Sequence, residues 1–276
     1  IIELMKKLIM GEEPIDVAGV TFKKNGKIIQ NPKLPFIDLD SLDIPAYDLI
    51  DLSKYNDSLD SNGISYESSR GCPYACTFCY VYIFHDRTFR GKSPEKVLEE
   101  VKYLKEVYNI KKISFVEDYM WSTKNRALDQ FKLFIEHEIN VKWEAFCRAD
   151  FLSRLKDEEL DIIADSGAEI LSLGLETGSE RMLKHIKKHI TVDQAKTAVK
   201  RCADRGIMTE CSFIIGMPTE TEADVEESMT ENFIKTEIPE QFQAAYTRRL
   251  GEGKDDTIEG KILSISDKID LLYEAY

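Results

Sequence analysis

Positive charge is scarce in this chain: 37 lysines and arginines stand against 50 aspartates and glutamates, a formal net charge of −13. Such a surface repels phosphate backbones, which argues against bulk binding of nucleic acid. No run of about 18 apolar residues occurs, so no transmembrane helix is expected. No second C-x-x-C pair exists to complete a zinc ribbon. The chain opens on Ile1 rather than methionine, which leaves room for a preceding segment, a signal peptide included. At 276 residues with an ordinary hydrophobic share of 43%, it fits one large domain, or one domain with appendages.

What is present is concentrated in the string SSRGCPYACTFCY. Cys72, Cys76 and Cys79 form a C-x3-C-x2-C pattern just after a strand-like run, Ile64 to Ser69. Three thiolates this close can ligate three corners of one 4Fe–4S cluster and leave the fourth iron open for chemistry. Gly71 and Pro73 flank the first cysteine and suit a backbone that wraps a small object. Other readings of the same residues are a zinc site with His85 as fourth ligand, a disulfide with one cysteine left over, or three inert thiols. Cys147, Cys202 and Cys211 lie among apolar neighbours and read as small hydrophobes.

The cysteine pattern, with the aromatic Phe78 before its third member, resembles the signature of the radical S-adenosylmethionine (radical SAM) enzymes. The resemblance implies a 4Fe–4S cluster on Cys72, Cys76 and Cys79 with S-adenosylmethionine at the open iron. It implies a one-electron donor such as flavodoxin or ferredoxin. The 5′-deoxyadenosyl radical so released would abstract hydrogen from a small-molecule or unknown substrate, leading to methyl transfer, cyclisation or rearrangement. Cluster cysteines imply a reducing compartment, hence a cytoplasmic setting; with the acidic charge and the lack of a long apolar run, no nucleic-acid or membrane partner is expected.

Along the chain, residues 1–62 read as an approach segment: a short helix over Ile1–Met10, a hairpin turning at Asn25-Gly26, and an extended stretch punctuated by Pro32, Pro35 and Pro45. This stretch resembles the linker of cobalamin-dependent radical SAM proteins, but no Asp-x-His-x-x-Gly string is present. Cobalamin is therefore implied only if a cobalamin domain precedes this chain. From 63 to 230 strands and helices alternate. Strands are expected at Ile64–Ser69, Lys112–Val116, Val141–Cys147, Glu169–Leu175 and Ile207–Ile215. Ser93 with Pro94 caps one intervening helix, and Thr191 with Gln194 caps another. Repeated strand–helix units give a parallel sheet with right-handed crossovers. The family fold is α/β, a partial (β/α)6 TIM-like barrel, and five units are legible here.

Functional residues of such barrels gather at the C-terminal strand ends. By the resemblance, Glu117 and Asp118 contact the amino group of S-adenosylmethionine. Arg148 reads either as a fork for its carboxylate or as a rim ion pair with Asp150 or Glu117. Glu176 is suited to accept hydrogen bonds from ribose hydroxyls, and the string holding Gly216 borders the adenine. Thr219 and Glu222 read as a capping box. Lys184, Lys187, Lys188 and Lys200 read as solvated helix faces, as do His185 and His189 despite their i, i+4 spacing.

Residues 231–276 read as a helical tail in place of a sixth unit, either a fused fragment or a helical cap. The run around Asp267 weakly resembles the late helix of HD-type phosphohydrolases. The earlier histidine and His-Asp ligands of that site are missing, since the one His-Asp pair, His85-Asp86, falls in the cysteine loop. A radical SAM enzyme is the leading expectation; a non-catalytic remnant that binds the cluster without turnover is the alternative.

Overall fold

The computed structural model describes residues 1–52, 54 and 63–228. The chain divides into two compact units, Ile1–Leu42 and Asp43 onward. In the first, helix α1 (Ile2–Ile9) buries none of its residues. Strands β1 (Thr21–Lys24) and β2 (Lys27–Gln30) pair antiparallel, with Thr21 opposite Gln30. Asn25 and Gly26 both take positive φ, 48° and 78°, as a two-residue hairpin turn of matching twist requires. Asn31 is buried, and its amide donates to the carbonyls of Pro14 and Val17.

The second unit contains, in chain order, β3 (Gly63–Tyr66), β4 (Ser69–Arg70), α2 (Val81–Phe84), β5 (Arg90–Gly91), α3 (Pro94–Tyr108), β6 (Lys112–Phe115), α4 (Lys124–Glu136), β7 (Lys142–Cys147), α5 (Ala149–Arg154), α6 (Asp157–Asp165), β8 (Ala168–Glu176), α7 (Glu180–His185), α8 (Val192–Ala203), β9 (Met208–Phe213) and α9 (Glu222–Ser228). A five-stranded sheet runs β3-β6-β7-β8-β9, and every pairing in it is parallel. All five C-terminal strand ends therefore lie along one edge. This is the α/β architecture expected; the helical tail expected over residues 231–276 falls outside the described residues.

The helices follow from their caps and stripes. Ser93 Oγ accepts from the Lys96 amide at 3.2 Å, Pro94 occupies the first turn, and Asn109 closes α3 with φ 51°. Thr191 and Gln194 form a reciprocal capping box on α8. Gly167 ends α6 at φ 102°, where a Cβ would drive into the Val141 carbonyl oxygen. Ala127, Leu128, Phe131 and Phe134 form the buried face of α4. The Phe131 ring stacks on Trp143 at 4.2 Å, and Phe115 meets both rings edge-on. This aromatic group lies at the centre of one continuous core and makes the sheet a rigid platform for its edge.

Two local expectations need correction, and one helix is not anticipated. The first strand stops at Tyr66 rather than Ser69, because Ser69 and Arg70 leave the sheet to pair with Gly91 and Arg90. Helix α5 starts directly at the end of β7, a segment too short to show a periodic apolar stripe. The cap of α9 is not Thr219 with Glu222. The Thr221 amide and hydroxyl donate to Asp224 Oδ2 at 2.9 and 2.6 Å, while Thr219 lies in the preceding turn with φ 70°.

Candidate functional site

The cysteine loop springs from the sheet edge and is fastened on three sides. At its base the short β4–β5 ladder joins residues 69–70 to 90–91. Gly71 adopts φ 86°, and a Cβ there would drive into the Thr88 carbonyl oxygen and press on the His85 ring. Only glycine suits that close return of backbone on backbone. On the far side, the Thr77 amide donates to the Ile186 carbonyl at 2.9 Å, tying the loop to the end of α7.

The third fastening comes from the end of β6. Tyr66 is opposite Phe115 in the parallel register, so two residues further on Ser68 faces Glu117. Glu117 accepts from the Ser68 amide at 2.5 Å and from Ser69 Oγ at 2.7 Å. It is buried, and burial raises its carboxyl above the usual range although those hydrogen bonds oppose the rise. Asp118 accepts from the Gly71 amide at 3.0 Å and lies 3.4 Å from His85 Nε2. His85 Nδ1 is 3.0 Å from Arg90, so both of its ring nitrogens have partners within the loop base. Behind them Arg126 donates to the Lys92 and Ser68 carbonyls, and Lys92 joins Glu100 and Tyr66 in a buried group.

The next two strand ends add two buried charges. Arg148 donates through Nε to Asp150 at 2.9 Å and through Nη2 to the Lys188 carbonyl at 2.5 Å. Its guanidinium carbon lies 3.7 Å from the Tyr74 ring centroid. Of its two sequence readings, the ion pair with Asp150 is formed. Glu176 closes β8 with φ 68°, a left-handed backbone that is uncommon for a non-glycine residue. Its Oε1 accepts from Lys188 Nζ at 2.6 Å, with the side chains only 8% and 9% exposed. Gly174 makes room for this pair, since a Cβ there would meet both partners. Lys188 is thus not a solvated lysine. Its Nζ lies 5.9 Å from the Phe78 ring centroid, and Phe78 is half exposed. Gly216, at φ 85°, follows β9 and donates its amide to Glu220. His185 and His189 are exposed, as expected of solvated positions.

All six cysteines are free thiols. Cys76 is buried, while Cys72 and Cys79 are partly exposed; the Cys79 amide donates to the Cys76 carbonyl at 3.1 Å, forming a tight turn. Burial pushes the Cys72 thiol up. Among the described residues no three His, Cys, Asp or Glu side chains already converge on a common point. The fit to an iron–sulfur cluster rests on the donor set: three thiols, none in a disulfide, on one pinned loop whose His85 is already paired with Asp118 and Arg90. Cys147 and Cys202 are packed in the core, and burial pushes Cys202 up to about 12.

Parallel sheet, cysteine loop and charged strand ends together define a class. The model of the radical SAM superfamily matches residues 66–231, and the chain belongs to that superfamily. An uncharacterized methyltransferase of Pyrococcus horikoshii is 33% identical over 228 residues, covering 81% of this chain and 48% of the relative. Anaerobic magnesium-protoporphyrin IX monomethyl ester cyclase of Rubrivivax gelatinosus is 28% identical over 216 residues, covering 77% and 38%. Among solved structures, the radical S-adenosylmethionine methyltransferase TsrM from Kitasatospora setae superposes with a TM-score of 0.68 at 16% identity, over 84% of this chain and 47% of that one, a likeness of fold. The chain spans about half or less of the length of these relatives. Membership implies a 4Fe–4S cluster and S-adenosylmethionine as cofactors. Among the described residues no helix is long and apolar enough to cross a membrane.

Proposed function

We propose that this chain is the radical-generating part of a radical SAM enzyme that acts on a small molecule. Cys72, Cys76 and Cys79 hold the cluster, and the observation that carries the reading is their placement as free thiols on a pinned loop at the C-terminal edge of a parallel sheet. A cluster held there, once reduced by one electron from a donor, would supply the chemistry that splits S-adenosylmethionine into methionine and a 5′-deoxyadenosyl radical.

The chain's own residues orient and enclose. Asp118, whose side chain is 24% exposed, is suited to meet the ammonium group of S-adenosylmethionine. Glu117 is suited instead to hold the loop base, because both of its oxygens accept hydrogen bonds within it. The half-exposed Phe78 ring offers a face to an adenine or a sulfonium. Glu176 and Lys188 present a buried charge pair beside it for the ribose and carboxylate, and Gly216 allows close backbone approach at the adenine side. Relatives named as methyltransferases and as a cyclase support methyl transfer or cyclisation as the outcome. An electron donor of the flavodoxin or ferredoxin kind is required. Cobalamin enters only if a cobalamin-binding segment accompanies the chain.

Anaerobic reconstitution tests the reading. The expected result is about four irons per chain, with 5′-deoxyadenosine formed on reduction in the presence of S-adenosylmethionine. A loaded cluster that binds S-adenosylmethionine without cleaving it would instead mark a non-catalytic remnant.

A further inference from the structure

Arg148 has a fourth partner. Its Nη1 lies 3.9 Å from Cys76 Sγ, within range for an N–H donor and a sulfur acceptor. Every nitrogen of the guanidinium is thus engaged inside the protein: Nε by Asp150, Nη2 by the Lys188 carbonyl, Nη1 by sulfur. The residue is 6% exposed, and its guanidinium carbon lies over Tyr74, a residue of the same cysteine loop. A simple rim ion pair would need Asp150 alone. The carbonyl and the ring add two further anchors, and the remaining nitrogen reaches Cys76. A lysine, as a single point charge on a flexible stem, has no equivalent arm.

We propose that Arg148 acts on the cluster through Cys76, as a positioning residue that holds this thiolate and raises the reduction potential of the iron–sulfur centre. The inference rests on the cluster assignment above. A thiolate that accepts a hydrogen bond passes less charge to iron, and a nearby buried cation favours the more negative, reduced form. Hydrogen bonds to the sulfurs and local charge are the protein's means of setting such potentials. The step concerned is one-electron reduction of the oxidised cluster by a donor. No bond is made or broken, and Arg148 keeps its proton throughout.

The test is an anaerobic redox titration with dithionite and mediators, followed by electron paramagnetic resonance, on the reconstituted full chain. Arg148→Gln should shift the midpoint to more negative potential at unchanged iron content. Arg148→Lys should shift it the same way by less, since charge remains but the aimed arm is lost. Asp150→Asn, which keeps an acceptor for Nε but removes a negative charge, should shift it to more positive potential. Opposite signs at 148 and 150 are the signature of an electrostatic role; a role in folding alone would move both the same way. If Arg148→Gln fails to retain iron, the Lys and Asn variants still decide by sign. A wild-type chain that takes up no iron removes the proposed function and this inference together. A wild-type chain that loads fully, beside variants whose midpoints do not move or move in one direction, removes this inference alone.

Discussion

At Lys188 and Glu176 two opposite charges are held where water is scarce, 2.6 Å apart and each more than nine-tenths buried. Removing one partner of such a pair leaves the other uncompensated, which costs about 3–5 kcal/mol, whereas removing both costs far less. Lys188→Met should therefore lower the denaturant midpoint sharply, and the double variant Lys188→Met/Glu176→Gln should recover most of the loss. A double variant as unstable as the single one would show that the pair is not the reason for the loss. Neither the burial nor the pairing is legible in the run KHIKKH, which has the composition of a solvated helix end. Helix α7 stops at His185, and the chain then turns Ile186, Lys188 and Ile190 inward in alternation. Glu117 shows the same limit: its role depends on Ser68, a residue 49 positions away brought opposite by strand register. The cysteine spacing, by contrast, is a local signal, because ligands of one small cluster come from one short loop.

At the scale of elements, alternation of strand and helix was readable because the core helices carry apolar stripes, and α3 and α8 also carry side-chain caps. The strands match within a few residues except where the chain leaves the sheet at Ser69. The link from β9 to α9 shows why a cap can be misassigned: TETEAD contains two overlapping boxes, Thr219 with Glu222 and Thr221 with Asp224, and the sequence alone does not choose between them. The choice of Thr221 leaves Thr219 in the left-handed region at φ 70°, unfavourable for a β-branched side chain. Thr219→Gly should relieve this and stabilise the protein by up to about 1 kcal/mol, the cost of a left-handed backbone less glycine's greater freedom in the unfolded chain. The change would be read as a higher denaturant midpoint at an unchanged slope; a lower midpoint would mean that Thr219 makes contacts that outweigh its backbone.

For the whole molecule, acidity sets a limit on stability. Asp224 on α9 accepts from Arg181 on α7, and from Ser179 and Thr221, and these hydrogen bonds hold its carboxyl well below the usual carboxylate range. The folded state therefore binds this proton less readily than the unfolded chain. The contribution is present above the ordinary aspartate pKa, about 4, and is lost as the pH falls below it toward the depressed folded value. Asp224→Asn should lower the melting temperature at pH 7 and narrow the gap between variant and wild type at pH 3. A gap that stays constant between those pH values would exclude Asp224 as the titrating group.

The ladder between Ser69–Arg70 and Arg90–Gly91, with Gly71 folded against Thr88, works as a drawstring around the metal-binding segment. Bringing together the ends of a loop of about 20 residues costs about 2–3 kcal/mol of chain entropy. Here that closure is supplied by pairing backbone with backbone. Binding of a cluster in this short noose would then call for arranging three side chains rather than gathering a segment. The apex of the noose, where Tyr80, Ile83 and Phe84 are exposed, is thereby uncoupled from the knot. Length and sequence at the apex can drift, as they would in an adaptor region, while the knot keeps the three sulfurs within reach of one another.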